Sequence, residues 1–291
     1  MIETEGSRAK RIVTIYDDIY NLPDARDYFR AMHHAGFRTA HHGAAAFRAA
    51  RAELMRLRGL PSLGVLDFAS GYGIAALLMR HKISLDAVLD HYRDPALDGY
   101  STDEMAARDQ DWLRPLRAPD NADRYAGLDI ADQALAYGQR IGVFDAAFAE
   151  DLQTDMPSDA LAAWLTGCDL VVEIGSVAHM LPQALDRVLQ AVTARKPWVI
   201  TAPIRGNDTA EAMDVMARHG LTVEPLPLPP FRHRRFADDA EQARAIANAA
   251  ARGHDPEGFE TTGYFHAQVY LARPADELTD IAGWPFSPNV D

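Results

Sequence analysis

From residue 64 onward, short apolar runs alternate with stretches whose apolar residues recur at helical spacing. The runs are rich in Val, Ile and Leu and have the length of strands. In chain order they read GVLDFA, RYAGLDI, CDLVVEIG, PWVITAPI, LTVEPLPL and FHAQVYLARP. Strand followed by helix, repeated, is typical of a mostly parallel sheet covered by helices on both faces. The chain is therefore predicted to be an α/β protein.

The first 60 residues lack this strand pattern and are predicted to form a helical segment. They contain Ala-rich stretches of high helix propensity, and LPDARDYF starts a helix after Pro23. Gly59, followed by Pro61, ends the segment.

Two connections are longer than ordinary loops and contain helical patterns of their own, residues 81–124 and residues 227–262. Both are predicted to be helical insertions. The expected organisation is a helical cap over residues 1–60, a main domain with both insertions over residues 61–273, and a tail over residues 274–291.

Composition and charge narrow the class of partner. The 291 residues carry a formal net charge of −13, which opposes binding to nucleic acid. The single cysteine, Cys168, is expected to be buried and cannot form an internal disulfide. The chain shows no secretory signal and no apolar run of about 18 residues. We expect a cytoplasmic protein that acts on a small molecule, does not contact a membrane and is able to form a homodimer.

The N-terminal segment contains two His-His pairs, which raise the question of a metal site. His33 and His34 lie eight residues before His41 and His42. Metal ligands on a helix are normally three or four residues apart and are completed by a carboxylate or cysteine. The spacing does not fit, so no metal is expected.

The stretch VLDFASGYGIAALL, residues 65–78, places a glycine turn between the first predicted strand and a helix. Such a turn lets the backbone and the helix N–H groups approach a ligand. Gly71, Gly73 and Ala76 fit the dinucleotide pattern G-x-G-x-x-A, so an NAD(P)-dependent oxidoreductase is one alternative. That alternative needs an acid at the end of a second strand, and the candidates Asp86 and Asp90 lie in a helical pattern with a Ser N-cap.

The segment D-F-A-S-G-Y-G resembles the first motif of the class I S-adenosylmethionine-dependent methyltransferases. Asp67, Gly71 and Gly73 match that motif, and Ala69 stands where a first glycine is frequent. No lysine follows the glycines, which excludes a P-loop.

Three later segments continue the resemblance in the same order. YAGLDIADQALAYGQ is similar to the second motif, which implies that Asp129 holds the ribose hydroxyls. AAFAEDLQTDMP is similar to the third, which implies that Asp151 reaches the adenine amino group. CDLVVEIGSVAHML is similar to the fourth, beside the methyl-transfer site. The resemblance assigns these residues to the cofactor: Asp67, Ala69, Gly71, Gly73, Asp129, Ile130, Glu150, Asp151, Leu152 and Glu173.

The resemblance spans about residues 62–272 and implies both a fold and an activity. The implied fold is a doubly wound, Rossmann-like, seven-stranded, mostly parallel sheet whose last strand is antiparallel, with the helical cap and two insertions added. The implied activity is methyl transfer from S-adenosylmethionine to N, O or S of a small anionic metabolite.

Ligands of such sheets bind beyond the carboxyl ends of the strands, which places residues 227–262 over the pocket as a lid. The lid contains FRHRRF, where Arg232, Arg234 and Arg235 are candidates for binding an anionic substrate. The alternative is a solvated face paired with the following ADDAE. Arg205, after the fifth predicted strand, is a further candidate for the same role.

Candidate catalytic residues come from the ends of two strands. Glu173 is placed to accept a proton or orient the nucleophile, or else only caps the next turn. His179 lies a turn further on, and Tyr264 and His266 share one face where the last strand begins. In related methyltransferases the helices before the first motif contribute tyrosines to the acceptor pocket, and the candidates of the substrate site are Tyr16, Tyr20, Arg205, Arg232 and Arg235.

A third reading is a non-catalytic cofactor-binding protein that acts through a protein partner. It predicts an open pocket with an apolar rim and no placed polar groups. A nucleic-acid methyltransferase is disfavoured by the acidic charge and by EIGS standing where an N-P-P-Y-like signature would follow the fourth strand.

Overall fold

The protein is described by a computed structural model that covers residues 17–175 and 181–285. Nine strands lie in this part of the chain. They are β1 (Gly64–Phe68), β2 (Arg124–Asp129), β3 (Ala146–Ala149), β4 (Leu170–Glu173), β5 (Trp198–Thr201), β6 (Leu221–Pro225), β7 (Phe231–Arg235), β8 (Tyr264–Ala267) and β9 (Tyr270–Pro274).

Helices fill the connections between these strands and the segment before them. In the described part of the chain they are α1 (Asp17–Tyr20), α2 (Arg26–His34), α3 (Thr39–Arg58), α4 (Ile74–Arg80), α5 (Leu85–Tyr92), α6 (Thr102–Leu113), α7 (Asp132–Arg140), α8 (Asp159–Leu165), α9 (Pro182–Ala191), α10 (Ala210–Arg218) and α11 (Asp239–Ala251). None of them combines the length and apolar character that a membrane crossing requires.

The main sheet has seven strands in the order β3-β2-β1-β4-β5-β9-β6. β1 lies at the centre and pairs in parallel with β2 and β4, whereas β9 runs antiparallel to both of its neighbours. The central strands β1, β4 and β5 are buried along their whole length, because helices cover both faces. The predicted fold class, including the antiparallel last strand, is confirmed.

The chain between the glycine turn and β2 is helical where the NAD(P) alternative needs a strand. α5 begins after Ser84, whose side chain accepts a hydrogen bond from the backbone N–H of Ala87. The strand that pairs with β1 and ends in an acid is instead β2, which places Gly127 opposite Asp67. The predicted position of the second strand is therefore confirmed despite the long insertion.

The prediction of one strand over FHAQVYLARP is wrong. The run is divided into β8, which pairs with β7 in a separate two-stranded sheet, and β9, which enters the main sheet. Between them the backbone N–H of Gln268 donates to Pro203 (3.1 Å), and the carbonyl of Val269 accepts from Leu226 (2.9 Å). These tertiary hydrogen bonds turn the chain from one sheet to the other, which an uninterrupted apolar pattern does not reveal.

The helical cap and the first insertion pack against each other. Arg26, the first residue of α2, donates to the carbonyls of Leu97 (2.6 Å) and Tyr100 (3.0 Å) in the insertion. α3 buries Phe47 and Leu54 in the same core as the sheet. The boundary at residue 60 stays a prediction, since the cap shares its core with the main domain.

Candidate functional site

The glycine turn between β1 and α4 adopts left-handed backbone at three alternate positions. The φ angles are 54° at Ala69, 50° at Gly71 and 80° at Gly73. Ala69 is the single non-glycine residue with positive φ in the described chain. An alanine in this conformation costs about 1 kcal/mol, a strain that glycine avoids. The turn thus keeps the left-handed backbone typical of glycine at Ala69.

Two carboxylates hold this turn in place. Asp67 Oδ2 accepts a hydrogen bond from the backbone N–H of Ala76 (3.0 Å). Asp129, at the end of β2, accepts from the N–H of Gly71 (2.8 Å) through Oδ2 and from the N–H of Ala131 (3.0 Å) through Oδ1. The carboxyl ends of β1 and β2 are therefore joined through the turn. In sheets of this kind, nucleotides bind beyond the carboxyl ends of the strands.

Burial makes the ionisation of both acids costly. The two are only 3% and 8% exposed, and in the described residues neither forms an ion pair. Burial raises the pKa of Asp67 well above its ordinary value, and the charges of Asp129 and Glu173 raise it further. Burial also raises the pKa of Asp129, against the hydrogen bonds that it accepts. A cationic ligand beside these two acids would favour their ionised forms.

Glu173 ends β4 at the same edge and is completely buried. Thr201, its partner on β5, donates a hydrogen bond from Oγ1 to Glu173 Oε2. This bond fixes the carboxylate within the sheet. The structure thus brings Glu173 close to Asp67, and its catalytic role stays a prediction.

The N-terminal segment covers the turn. Tyr20, at the end of α1, donates from its hydroxyl to Asp129 Oδ2 (3.0 Å), and this hydroxyl lies 2.9 Å from the position that a Cβ on Gly71 would take. Asn21 Oδ1 accepts from the N–H of Gln133 (2.8 Å) at the start of α7. The phenol of Tyr20 thus lies on the carboxylate that the resemblance assigns to ribose, and the predicted role of Tyr20 in substrate binding stays a prediction.

The loop after β3 carries the residues that the resemblance assigns to adenine. The carboxylate of Glu150 accepts two hydrogen bonds from Ser158, one from its backbone N–H (2.9 Å) and one from its Oγ (2.6 Å). Asp151 is exposed and accepts only the N–H of Gln153 (3.0 Å) among the described residues, whereas Leu152 is buried. Of the two acids in this loop that the resemblance assigns to the cofactor, Asp151 is therefore the one that is exposed to a ligand.

Ile130 follows Asp129 and is one of the few large apolar side chains that the structure leaves exposed. It is 54% exposed at the carboxyl end of β2, beside the loop that contains Asp151. An exposed apolar side chain between two acids can pack against the face of an aromatic ring, while the acids accept hydrogen bonds from polar groups at the edges of the ring.

Two of the candidate arginines are engaged by glutamates. Arg205 is buried, 3.6 Å from Glu260, and its guanidinium lies over the ring of Phe259 at 3.9 Å. Arg234 forms a two-point pair with Glu241 (2.8 and 2.9 Å), so for this residue the alternative of pairing with ADDAE is confirmed. A role of Arg205 in substrate binding stays a prediction, and its pairing favours a structural role.

Arg232 and Arg235 are exposed and form no ion pair in the described residues. Arg232 stacks over Tyr264 at 4.6 Å. His266 is buried, and its Nδ1 lies 3.2 Å from the carbonyl of Tyr264. Burial lowers the pKa of His266, because it disfavours the charged imidazole. Tyr16 and His179 lie outside the described residues.

The sequence analysis missed His233. It named the three arginines of FRHRRF and passed over the histidine between them. The imidazole lies with Cε1 3.8 Å from the position that a Cβ on Gly175 would take, immediately after β4. Alternation along β7, which puts His233 on the opposite side from Arg232, was the available signal. No group of three potential metal-ligating side chains is found in residues 17–175 and 181–285.

Comparison with solved structures gives methyltransferases at low similarity. Magnesium protoporphyrin IX methyltransferase from Synechocystis is 11% identical (TM-score 0.40; 86% of this chain and 95% of that chain covered). A TehB-like SAM-dependent methyltransferase from Corynebacterium glutamicum is 15% identical (TM-score 0.40; 84% and 94% covered). The plantazolicin methyltransferase BpumL is 9% identical (TM-score 0.41; 88% and 95% covered).

Neither the protein-family models nor the curated proteins contain a match to this chain. The fold assignment rests on the strand order and directions of the sheet, which has seven mostly parallel strands and an antiparallel β9.

Proposed function

We propose that this protein is an S-adenosylmethionine-dependent methyltransferase that methylates N, O or S of a small anionic metabolite. The observation that carries the proposal is the pair of buried acids, Asp67 and Asp129, around a glycine turn without a neutralising cation in the described chain. A phosphate-bearing cofactor would be repelled there, whereas a sulfonium cofactor with a free amino group is attracted.

The residues present fit this cofactor. Asp129 would hold the ribose hydroxyls, Ile130 would contact the face of the adenine, and Asp151 would accept from its amino group. The glycine turn would admit the amino-acid tail, and Ser70 Oγ there is a buried polar atom with no hydrogen-bond partner among residues 17–175 and 181–285. Because Tyr20 donates to Asp129, this phenol has to release the carboxylate when ribose binds.

The chain's contribution to the reaction is positional. Bound S-adenosylmethionine supplies an electrophilic methyl group on a positively charged sulfur. The ends of β1, β2 and β4 fix the cofactor and acceptor sides relative to each other, and orientation of this kind accounts for much of the rate of a two-substrate reaction. Glu173, held by Thr201, would orient the acceptor or take its proton.

The test is thermal melting with S-adenosylhomocysteine, S-adenosylmethionine, NAD or NADP at saturation. A ligand at a hundred times its Kd stabilises the folded protein by about 2.7 kcal/mol, which raises Tm by several degrees. We expect this increase with the two adenosyl sulfur compounds only. Asp129→Asn should abolish it, and Asp159→Asn, an exposed acid on α8, should not. Stabilisation by NAD or NADP instead would refute the proposal.

Activity is then measured as release of S-adenosylhomocysteine with a panel of small carboxylate-bearing amines, phenols and thiols. Turnover of an acceptor from this panel supports methyl transfer. Cofactor binding without turnover on any member would favour the non-catalytic alternative.

A further inference from the structure

A cavity of about 360 Å³ lies between α3 and the end of α4. This volume is within the range of about 300–1,000 Å³ that is usual for small-molecule sites. α4 begins at the glycine turn and ends beside the cavity, whereas residues 118–121 lead into β2. The cavity therefore lies at the amino ends of β1 and β2, away from the acids assigned to the cofactor. Its polar lining residues are Arg48, Arg51, His81, Lys82, Asp120 and Asn121.

Three cations line the cavity, and two of them have no carboxylate partner in the described part of the chain. Arg51 donates from Nε and Nη2 to the buried carboxylate of Asp123. Arg48 and Lys82 are exposed and form no ion pair among the described residues. Asp120 is the acid of the lining and is also exposed. The cavity therefore combines an excess of positive charge with one acid, in a protein whose net charge is −13.

The end of α4 offers no free carbonyl groups that would repel an anion. The last carbonyls of a helix carry partial negative charge and lack partners within the helix. Here the carbonyls of residues 77–80 all accept hydrogen bonds, of 3.0–3.1 Å, and two of these come from side chains that line the cavity. In order along the helix, the donors are the N–H of His81, Nη1 of Arg48, Nδ2 of Asn121 and the N–H of Ala118.

His81 contributes a hydrogen-bond acceptor to the lining. Its Nδ1 lies 3.1 Å from the carbonyl of Leu77, and because a carbonyl only accepts, Nδ1 carries the proton. Burial lowers the pKa of His81 to about 4, with the charges of Arg80 and Arg117 acting in the same direction and the hydrogen bond to Leu77 opposing them. Near pH 7 the imidazole is therefore neutral, and Nε2 has a lone pair that accepts no hydrogen bond from the described residues.

The groups around the cavity complement a phosphate ester that also carries hydroxyls. A phosphate monoester has a charge of about −1.5 to −2 at pH 7, which the two unpaired cations balance, whereas a single carboxylate would leave one of them unpaired. Its oxygens accept hydrogen bonds from guanidinium and ammonium groups. Hydroxyls of the same ligand can donate to Nε2 of His81 and to the carboxylate of Asp120.

We propose that the cavity between α3 and the end of α4 binds a hydroxyl-bearing phosphate ester of the sugar phosphate type. Arg48 and Lys82 bind the phosphate, and His81 and Asp120 accept from the hydroxyls. This second site goes beyond the proposed function and does not depend on it.

The first test is isothermal titration calorimetry of the unliganded protein with glucose 6-phosphate, ribose 5-phosphate and glycerol 3-phosphate. At least one of these esters should bind saturably, and the binding should weaken as salt rises from about 50 to about 500 mM. Glucose should not bind, because it lacks the charge. Gluconate, which replaces the phosphate by a carboxylate, and inorganic phosphate, which lacks the sugar hydroxyls, should each bind more weakly than the ester.

Variants then locate the ester that binds. Removing a hydrogen bond to a charged group should weaken its Kd roughly tenfold in Arg48→Gln and in Lys82→Gln. Arg56→Gln changes an exposed arginine of α3 outside the cavity and should bind as the wild type does. A variant with Arg232 and Arg235 both replaced by Gln should also bind normally, which excludes the arginines of β7 as the site.

Spectra of the histidines give an independent location. Long-range ¹H–¹⁵N spectra of protein labelled on histidine, with His81→Gln for assignment, should show His81 as the Nδ1–H tautomer. The bound ester should shift its Nε2 signal with the same Kd as the calorimetry, and His219, at the far edge of the sheet, should not respond.

The inference is overturned if none of the three esters binds, or if binding is lost in the β7 variant and kept in Arg48→Gln and Lys82→Gln. An unchanged His81 signal at saturation overturns it as well. Equal affinity for gluconate or for inorganic phosphate would overturn the assignment to a hydroxyl-bearing phosphate. Should Arg48→Gln fail to fold, since it also loses the hydrogen bond to Leu78, Lys82→Gln and the His81 signal decide. None of these measurements involves S-adenosylhomocysteine, so they leave the test of the proposed function separate.

Discussion

Asp67 and Asp129 combine a structural role with the role in cofactor binding that we propose for them. Each accepts backbone N–H groups that shape the glycine turn, and each is nearly inaccessible to water. The hydrogen bonds stabilise the turn, whereas the charge is destabilising until a cation arrives. Their conformational role can therefore be separated from their charge by replacing carboxylate with amide.

The first prediction concerns pH and Asp67. Because its folded-state pKa is raised above the ordinary value of 3.8, the folded protein holds its proton more tightly than the unfolded chain. This contribution to the free energy of unfolding is complete at pH values below 3.8 and is lost as pH rises through the folded-state pKa. Relative to Asp67→Asn, the unliganded wild type should lose stability as pH rises.

The measurement is urea unfolding of both proteins from about pH 4 to about pH 8, plotted as the difference in unfolding free energy. Other titrating groups cancel in this difference. A difference that stays constant over the whole range would show that Asp67 ionises normally, and the electrostatic argument for a cationic cofactor would weaken with it.

Among the elements, α1 and the residues after it connect three parts of the site. Tyr20 donates to Asp129, Asn21 caps α7, and Leu22 exchanges two hydrogen bonds with the hydroxyl of Tyr72, each of 2.9 Å. The segment thus occupies the side of the turn where ribose would bind. Cofactor binding has to exchange the Tyr20 phenol for ribose hydroxyls.

The second prediction is that Tyr20→Phe binds S-adenosylhomocysteine about twofold to tenfold more tightly than the wild type. The competing hydrogen bond is worth roughly 0.5–1.5 kcal/mol and no longer has to be broken. Isothermal titration calorimetry measures the change, with Tyr100→Phe in the insertion as the control. Weaker binding by Tyr20→Phe would show instead that the phenol contacts the cofactor in the complex.

The first insertion is organised around a completely buried carboxylate, Asp109 of α6. It accepts hydrogen bonds from the hydroxyls of Tyr92 (2.5 Å) and Tyr137 (2.6 Å), and His91 Nε2 lies 2.8 Å from it. Tyr137 belongs to α7, next to β2. The network therefore fastens the insertion to the main domain close to the site.

The third prediction is that Asp109→Ala lowers the free energy of unfolding by about 3 kcal/mol or more, because it leaves buried donors without an acceptor. Asp111→Ala removes an exposed acid that pairs with Arg114, the residue after the same helix, and should change stability by less than about 1 kcal/mol. Urea unfolding measures both. Equal effects would mean that the network does not hold the insertion.

At the scale of the whole molecule, negative charge and local positive charge are unevenly distributed. The net charge of −13 repels polyanions, while β7 carries Arg232 and Arg235 without ion pairs in the described chain. A small anion can bind to these two arginines, whereas the net negative charge of the protein repels a long polyanion. This difference in size argues for a metabolite as the acceptor.

The fourth prediction is that the protein does not bind nucleic acid. Fluorescence anisotropy with a labelled 20-base-pair DNA duplex at about 50 mM salt should show no binding at micromolar protein, because counterion release needs a basic surface. A variant with Arg232 and Arg235 both replaced by Gln should behave identically. Salt-dependent binding that this double variant loses would favour a nucleic-acid acceptor.

Most of the fold, and the glycine turn with the acids around it, could be predicted from local sequence. Apolar runs of strand length predict buried strands, and an acid followed by alternating glycines predicts a turn at the end of β1. The helix over residues 85–92 was readable from its Ser N-cap. These features follow from interactions within a few residues, so the order of residues already contains them.

The acceptor side could not be predicted in the same way. Arg205 and Arg234 carry the charge expected of anion ligands, yet their partners Glu260 and Glu241 become neighbours only in the folded chain. His233 Nδ1 forms a hydrogen bond with the hydroxyl of Thr39, which is 194 positions away along the chain. Charge pairing and buried hydrogen bonding depend on distance in space, which the pattern along the chain does not record.

The sequence by itself determined the layered sheet, the glycine turn and the acids around it, because periodicity and turn chemistry act locally. Only the tertiary structure decided that the last apolar run serves two sheets, that Tyr20 lies on Asp129, and that His233 stands beside Gly175. Each of these depends on contacts between segments far apart in sequence. Such contacts are fixed when the core closes and the buried polar groups find their partners.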